Sequence, residues 1–129
     1  MTTQVMMQLM RRRLVLAALF SAAVVIPSSA QEQPWVAVAS DGAGLWGVAV
    51  GMATRQAAEA SAFGECGMYC KVKFTAQARC VAYAFSETGR AEGFSAGATR
   101  ADVEQPAWAE CNANVPADSC KIKTARCFE

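Results

Sequence analysis

An internal repeat, with cysteines at matching places in both copies, restricts this chain more than any other feature of its sequence. Residues 53–66 set against 98–111 give seven identities: Ala53/Ala98, Thr54/Thr99, Arg55/Arg100, Glu59/Glu104, Ala62/Ala107, Glu65/Glu110 and Cys66/Cys111. Phe63 also faces Trp108. Chance at ordinary residue usage would give roughly one identity over such a window. The match resumes in Cys70-Lys71-Val72-Lys73 against Cys120-Lys121-Ile122-Lys123, and in Ala78-Arg79-Cys80 against Ala125-Arg126-Cys127. Gly47 and Gly51 bracket a strand-like segment, as Gly93 and Gly97 do.

Each copy reads as a short series of elements. Trp35 to Ser40 and Leu45 to Gly51 are rich in Val, Ala and Trp and flank Asp41-Gly42-Ala43-Gly44, the pattern of a β-hairpin with a glycine turn. Thr54 and Thr99 are suited to cap helices, the first of them alanine-rich through Gly64, the second with Asp102 at its N3 position. Residues four apart share a helix face, so Ala58, Ala62 and Cys66 form one small apolar stripe and Val103, Ala107 and Cys111 another. Such stripes predict helices lying close against a sheet. Pro106 predicts a kink or a late start in the second helix, because proline removes a hydrogen bond and clashes with the preceding turn. Lys71-Val72-Lys73-Phe74 and Lys121-Ile122-Lys123 alternate with the period of a strand, apolar residue inward and lysine outward. Val81 to Phe85 and Ala91 to Ala96 supply two further strands. The expected fold is α+β: two ββαβ-like repeats, about 35–85 and 86–129, forming a mainly antiparallel, disulfide-stapled sheet with both helices on one face.

The first thirty residues read as an export signal, with Arg11, Arg12 and Arg13 ahead of an uncharged apolar run from Leu14 to Ile26. Ser28 and Ala30 fit the small-residue rule for cleavage between Ala30 and Gln31, and Met6, Met7 and Met10 are alternative starts. The apolar run is shorter than the roughly 20 residues a spanning helix needs, so no membrane span is expected once the leader is gone. Residues 31–129 then form one exported domain, periplasmic or secreted. Removing the three leader arginines leaves 12 − 3 = 9 basic residues against 11 acidic ones, a net charge of −2, which speaks against nucleic-acid binding. All six cysteines, Cys66, Cys70, Cys80, Cys111, Cys120 and Cys127, follow the leader, and an even number in a short exported chain reads as a disulfide framework. The repeat favours Cys66–Cys70 and Cys111–Cys120 within units, leaving Cys80 for Cys127 across them; the alternative joins each helix cysteine to Cys80 or Cys127.

The glycine-framed strand Leu45-Trp46-Gly47-Val48-Ala49-Val50-Gly51, then Thr54-Arg55, the alanine-rich helix ending at Cys66, Cys70-Lys71-Val72 and Cys80-Val81-Ala82 together resemble the exported bacterial domain of unknown function family 4189. The resemblance covers roughly Trp35 to Cys127 and departs from the family pattern at Pro106 and in the long Cys111 to Cys120 gap. It implies secretion and a small disulfide-bonded fold, and it brings no catalytic residues with it.

The chain contains no histidine, which removes Ser-His and Cys-His nucleophile pairs and every histidine-containing metal site. What remains for catalysis is a carboxylate pair such as glycoside hydrolases use, drawn from Asp41, Glu59, Asp102 and Glu104. Arg55/Glu59 and Arg100/Glu104, however, have the spacing of ordinary helix-surface ion pairs. No cofactor and no metal is expected. Lys71, Lys73, Lys121 and Lys123 occupy equivalent strand positions and form a candidate binding face, although edge lysines more commonly just protect a sheet. Trp35, Trp46, Trp108 and Phe63 are expected in the core, because a domain this small needs its large side chains inside. The expected function is a non-enzymatic module binding a protein or envelope component; the alternative is a carboxylate-dependent hydrolase of cell-wall glycan.

Overall fold

The computed structural model describes residues 33–116 and 118–129, so the leader and its cleavage point at Ala30 and Gln31 lie outside the described residues. In chain order the elements are β1 (Trp35–Ser40), β2 (Trp46–Met52), α1 (Arg55–Cys66), β3 (Lys71–Gln77), β4 (Cys80–Ser86), β5 (Glu92–Gly97), α2 (Arg100–Asn112) and β6 (Cys120–Cys127). The α+β class and the paired ββαβ units are both present. The strands, however, form two antiparallel three-stranded sheets, ordered β2-β1-β3 and β5-β4-β6, where the repeat pattern suggested one. Because β4 pairs only with β5 and β6, it opens the second unit, and the boundary falls ahead of Cys80 and not near residue 85.

Alternation along the central strands explains the layering. On β1, Val36 and Val38 face one way and Ala37 and Ala39 the other; on β4, Val81, Tyr83 and Phe85 oppose Cys80, Ala82 and Ala84. The larger residues of both sheets meet in one central cluster, so the sheets stack face to face. The alanine sides turn outward, where Ala58, Ala62 and Cys66 of α1 cover the first sheet and Val103, Ala107 and Cys111 of α2 cover the second. The helices therefore lie on opposite outer faces of a four-layer sandwich, not together on one face. A single sheet could bury only one of its faces with two helices, whereas two stacked sheets bury all four.

The two units superpose in their hydrogen-bonding register. Ala39 opposes Gly47 and Val72 in the first, and Ala84 opposes Gly93 and Ile122 in the second. Each central strand also meets its last strand with a bulge at the same place, after Val38 and after Tyr83. Gly47 and Gly93 sit beneath the helices. A Cβ on Gly47 would overlap the Ala62 carbonyl and stand 2.6 Å from the Cys66 nitrogen, and one on Gly93 would overlap the Ala107 carbonyl and stand 2.7 Å from the Cys111 nitrogen. Helix backbone rests directly on strand backbone in both units.

Thr54 and Thr99 cap the helices, accepting from the backbone N–H groups of Ala57 (3.1 Å) and Asp102 (3.2 Å). The second helix starts where the first does and runs through Pro106, so the late start expected from the proline does not occur. Pro106 lies on the solvent side, where the carbonyl it leaves unpaired can turn to water. The hairpin turn is held by Asp41, whose Oδ1 accepts from Ala43 (2.8 Å) and Leu45 (2.9 Å), and these bonds hold its carboxyl below the usual range.

The cysteines pair Cys66–Cys70, Cys80–Cys127 and Cys111–Cys120, with Cα separations of 6.0, 4.0 and 6.0 Å. Cys80 and Cys127 face each other on β4 and β6, so this bridge lies within the second unit and does not join the two. Trp35 and Gln77 hold the corresponding rung in the first unit.

Candidate interaction surfaces

The four lysines singled out by the repeat stand in two pairs on edge strands of different sheets. Lys73 and Lys123 are the extra residues of the two bulges, a position that re-aims a side chain. Lys73 turns to Glu92 (4.0 Å) and Lys123 to Glu87 (3.6 Å). Lys71 and Lys121 make no ion pair among the described residues. Val72 turns inward as expected but is not buried. Val72 pairs with Ala39 on the helix-facing side, but α1 lies mainly over β1 and β2 and leaves it partly uncovered.

Glu92 gathers a polar cluster that sequence reasoning did not single out. Its Oε2 accepts from Ser40 Oγ of the first sheet and from Tyr83 Oη of the second (2.6 Å). Burial and the adjacent carboxylate push the Tyr83 phenol pKa far up. The signal was available in the repeat, since Glu92 precedes Gly93 where Trp46 precedes Gly47, a carboxylate in the place of an indole. Tyr83→Phe would leave the half-buried carboxylate short of a donor and should cost about 2 kcal/mol at neutral pH. A raised folded-state pKa gives stability that is complete below the ordinary phenol value of 10.0 and lost as pH rises past it. Wild type should therefore weaken in alkali through a transition that Tyr83→Phe lacks, as urea unfolding across that range would show.

The candidate carboxylates are dispersed. Glu59 lies on α1 and accepts from Thr75 Oγ1 (3.1 Å), while Asp102 and Glu104 lie on α2 in the opposite outer layer, and Asp41 is committed to its turn. Neither expected helix ion pair is present among the described residues; Arg55 instead stacks on the Trp35 ring at 5.0 Å. Trp35, Trp46 and Trp108 all pack against core clusters, and Trp108 Nε1 donates to the Cys120 carbonyl (3.2 Å).

Phe63 departs from expectation, since it is 42% exposed. It borders the Cys66–Cys70 loop, whose Met68 and Tyr69 are 79% and 80% exposed, and Val72 follows at the start of β3 at 37%. The loop is rigidly held: Gly67, at φ +115°, donates to the Phe63 carbonyl, Cys70 donates to Gly67, and the disulfide closes the ends. The second unit fills the same place. There the larger Trp108 packs with Ile122, and Val115 of the longer Cys111–Cys120 loop joins the core. Apolar side chains that one unit covers are left bare in the other.

Residues 35–127 match the sequence model of a family described as a domain of unknown function, DUF4189. The chain belongs to that family. No curated protein and no solved structure matches it.

Proposed function

We propose that this domain is a non-enzymatic interaction module working outside the cytoplasm, which docks a protein or envelope component through the apolar tip formed by Phe63, Met68, Tyr69 and Val72. The exposure of Met68 and Tyr69 on a disulfide-closed loop, with Phe63 and Val72 exposed on the elements that flank it, is the observation that carries the reading. Solvent-exposed apolar groups held rigidly cost little further entropy on binding, and aromatic anchors of this kind supply most of the energy of an interface. Three bridges in so small a domain suit an oxidising compartment, in keeping with export. Nothing in the arrangement of carboxylates favours the glycan hydrolase.

The oxidised protein should retain a partner from the envelope fraction, and the double variant Met68→Ser/Tyr69→Ser should lose that retention. Its unfolding free energy should stay within about 0.5 kcal/mol of wild type, as for surface substitutions generally. Equal retention by the variant would remove the tip from the proposal.

A further inference from the structure

The apolar tip is wider than its disulfide-closed loop. Ser40 pairs with Trp46 on one side and with Lys71 on the other, so the β1–β2 turn and the Cys66–Cys70 loop stand at the same end of the first sheet. The start of β2 runs beneath the end of α1, where a Cβ on Gly47 would stand 2.6 Å from the Cys66 nitrogen. Leu45, 50% exposed, therefore joins Phe63, Met68, Tyr69 and Val72. Five of the six large apolar side chains exposed among the described residues gather at this end, the sixth being Phe128. At roughly 150–250 Å² for a large side chain, their exposed parts amount to about 500 Å². That is the size of patch that marks an interaction site, yet it falls short of the roughly 800 Å² per partner of a standard protein interface.

The tip is also convex. A Cβ on Gly44 or on Gly67 would meet nothing within 4 Å, so both loops stand clear of the rest of the domain. Their backbones need little from water. Asp41 Oδ1 accepts from Ala43 and Leu45, and the Asp41 N–H donates to the Leu45 carbonyl; in the other loop Gly67 donates to Phe63 and Cys70 to Gly67. Backbone groups that leave water for hydrocarbon have to be paired within the protein in this way. Nearby charges cancel, since Asp41 and Lys71 are of opposite sign and Glu65 on α1 pairs with Arg126 (3.2 Å). A convex knob without net charge needs a matching hollow in a protein partner, whereas the interfacial zone of a bilayer receives one of any shape.

We infer that the tip docks on the surface of a lipid bilayer, an assignment that rests on the tip being the docking surface. Leu45, Phe63 and Met68 enter the acyl boundary, the Tyr69 hydroxyl stays at headgroup level, and the Lys71 ammonium lies against lipid phosphate. No helix among the described residues is long and apolar enough to cross a membrane, so the contact is peripheral. Apolar insertion drives it, and anionic lipid adds little.

Co-sedimentation with protein-free vesicles of phosphatidylcholine, alone and mixed with phosphatidylglycerol, tests the occupant. The oxidised protein should sediment with both, at affinities within about fivefold of each other, the scale of one lysine near an anionic surface. Met68→Ser/Tyr69→Ser should bind both about tenfold more weakly or worse, because two large apolar side chains no longer leave water. Tyr69→Trp supplies a signal gained where the double variant reads a loss. Its indole fluorescence should be quenched by vesicles with brominated acyl chains, while that of wild type, whose Trp35, Trp46 and Trp108 pack against core clusters, should not. If the double variant loses retention from the envelope fraction but wild type ignores protein-free vesicles, the tip docks a protein and the lipid assignment alone is overturned. Binding confined to the phosphatidylglycerol vesicles, vesicle binding unchanged in the double variant, or an unquenched Tyr69→Trp would also overturn it.

Discussion

Gly93→Ala should lower the unfolding free energy of the domain by about 3 kcal/mol or more, the upper range for overpacking. The added methyl has nowhere to go. It would overlap the Ala107 carbonyl and crowd the Cys111 nitrogen, and both are backbone atoms of a helix whose last turn is tied to β6 by the Cys111–Cys120 bridge. Relief requires α2 to lift off its sheet, uncovering Ala82, Ala84 and Val103, all fully buried. Gly64→Ala is the control, since a Cβ there meets nothing within 4 Å and alanine is the better helix former by up to about 1 kcal/mol. Urea unfolding should thus move in opposite directions for the two variants. A Gly93→Ala midpoint equal to wild type would refute the close helix-to-strand contact.

Removing the Cys80–Cys127 bridge should cost about 4 kcal/mol, and removing Cys66–Cys70 about 2 kcal/mol, by the chain-entropy relation for loops of different length. The sequence separations are 47 and 4 residues, so the first bridge restricts the unfolded chain far more. It encloses the whole second unit, from the first residue of β4 to the last of β6. Paired alanine variants, compared by denaturant unfolding under oxidising conditions, should show this order. Equal losses from the two would mean that local native-state contacts outweigh loop closure.

Local signals were the legible part of the sequence. Thr54 and Thr99 announced their helices, the alanine and cysteine stripes announced which faces are buried, and the repeat organised the cysteines. Sheet partition was not legible, because Val81 to Phe85 carries the same alternation whether it ends one unit or begins the next. Only its hydrogen-bond partners, β5 and β6, decide that. The same gap misplaced the helices, since a stripe of small residues identifies a buried face without saying which layer it meets. Lys73 and Lys123 resisted strict alternation because a bulge resets the period of two, and a bulge leaves no residue-type mark here. Phe63 misled because its twin Trp108 packs against the second unit's core and donates its indole N–H to the Cys120 carbonyl, an anchor that a phenyl ring lacks.

Trp46 and Glu92 occupy corresponding places on the two outer strands β2 and β5. Around Glu92 stand Ser40, Tyr83 and Lys73, whose equivalents in the repeat are Phe85, Val38 and Lys123, while Trp46 packs on the central cluster with Tyr83 beside its ring. Two identical chains assembled about a twofold axis would have to carry the same group at both places, so a glutamate suited to one would also sit among apolar neighbours at the other. A single chain holding both halves is released from that obligation. Each corner of the sandwich can mutate alone, one toward a hydrogen-bonded lock between the sheets and the other toward an indole packed on the core, while the shared centre stays as it was.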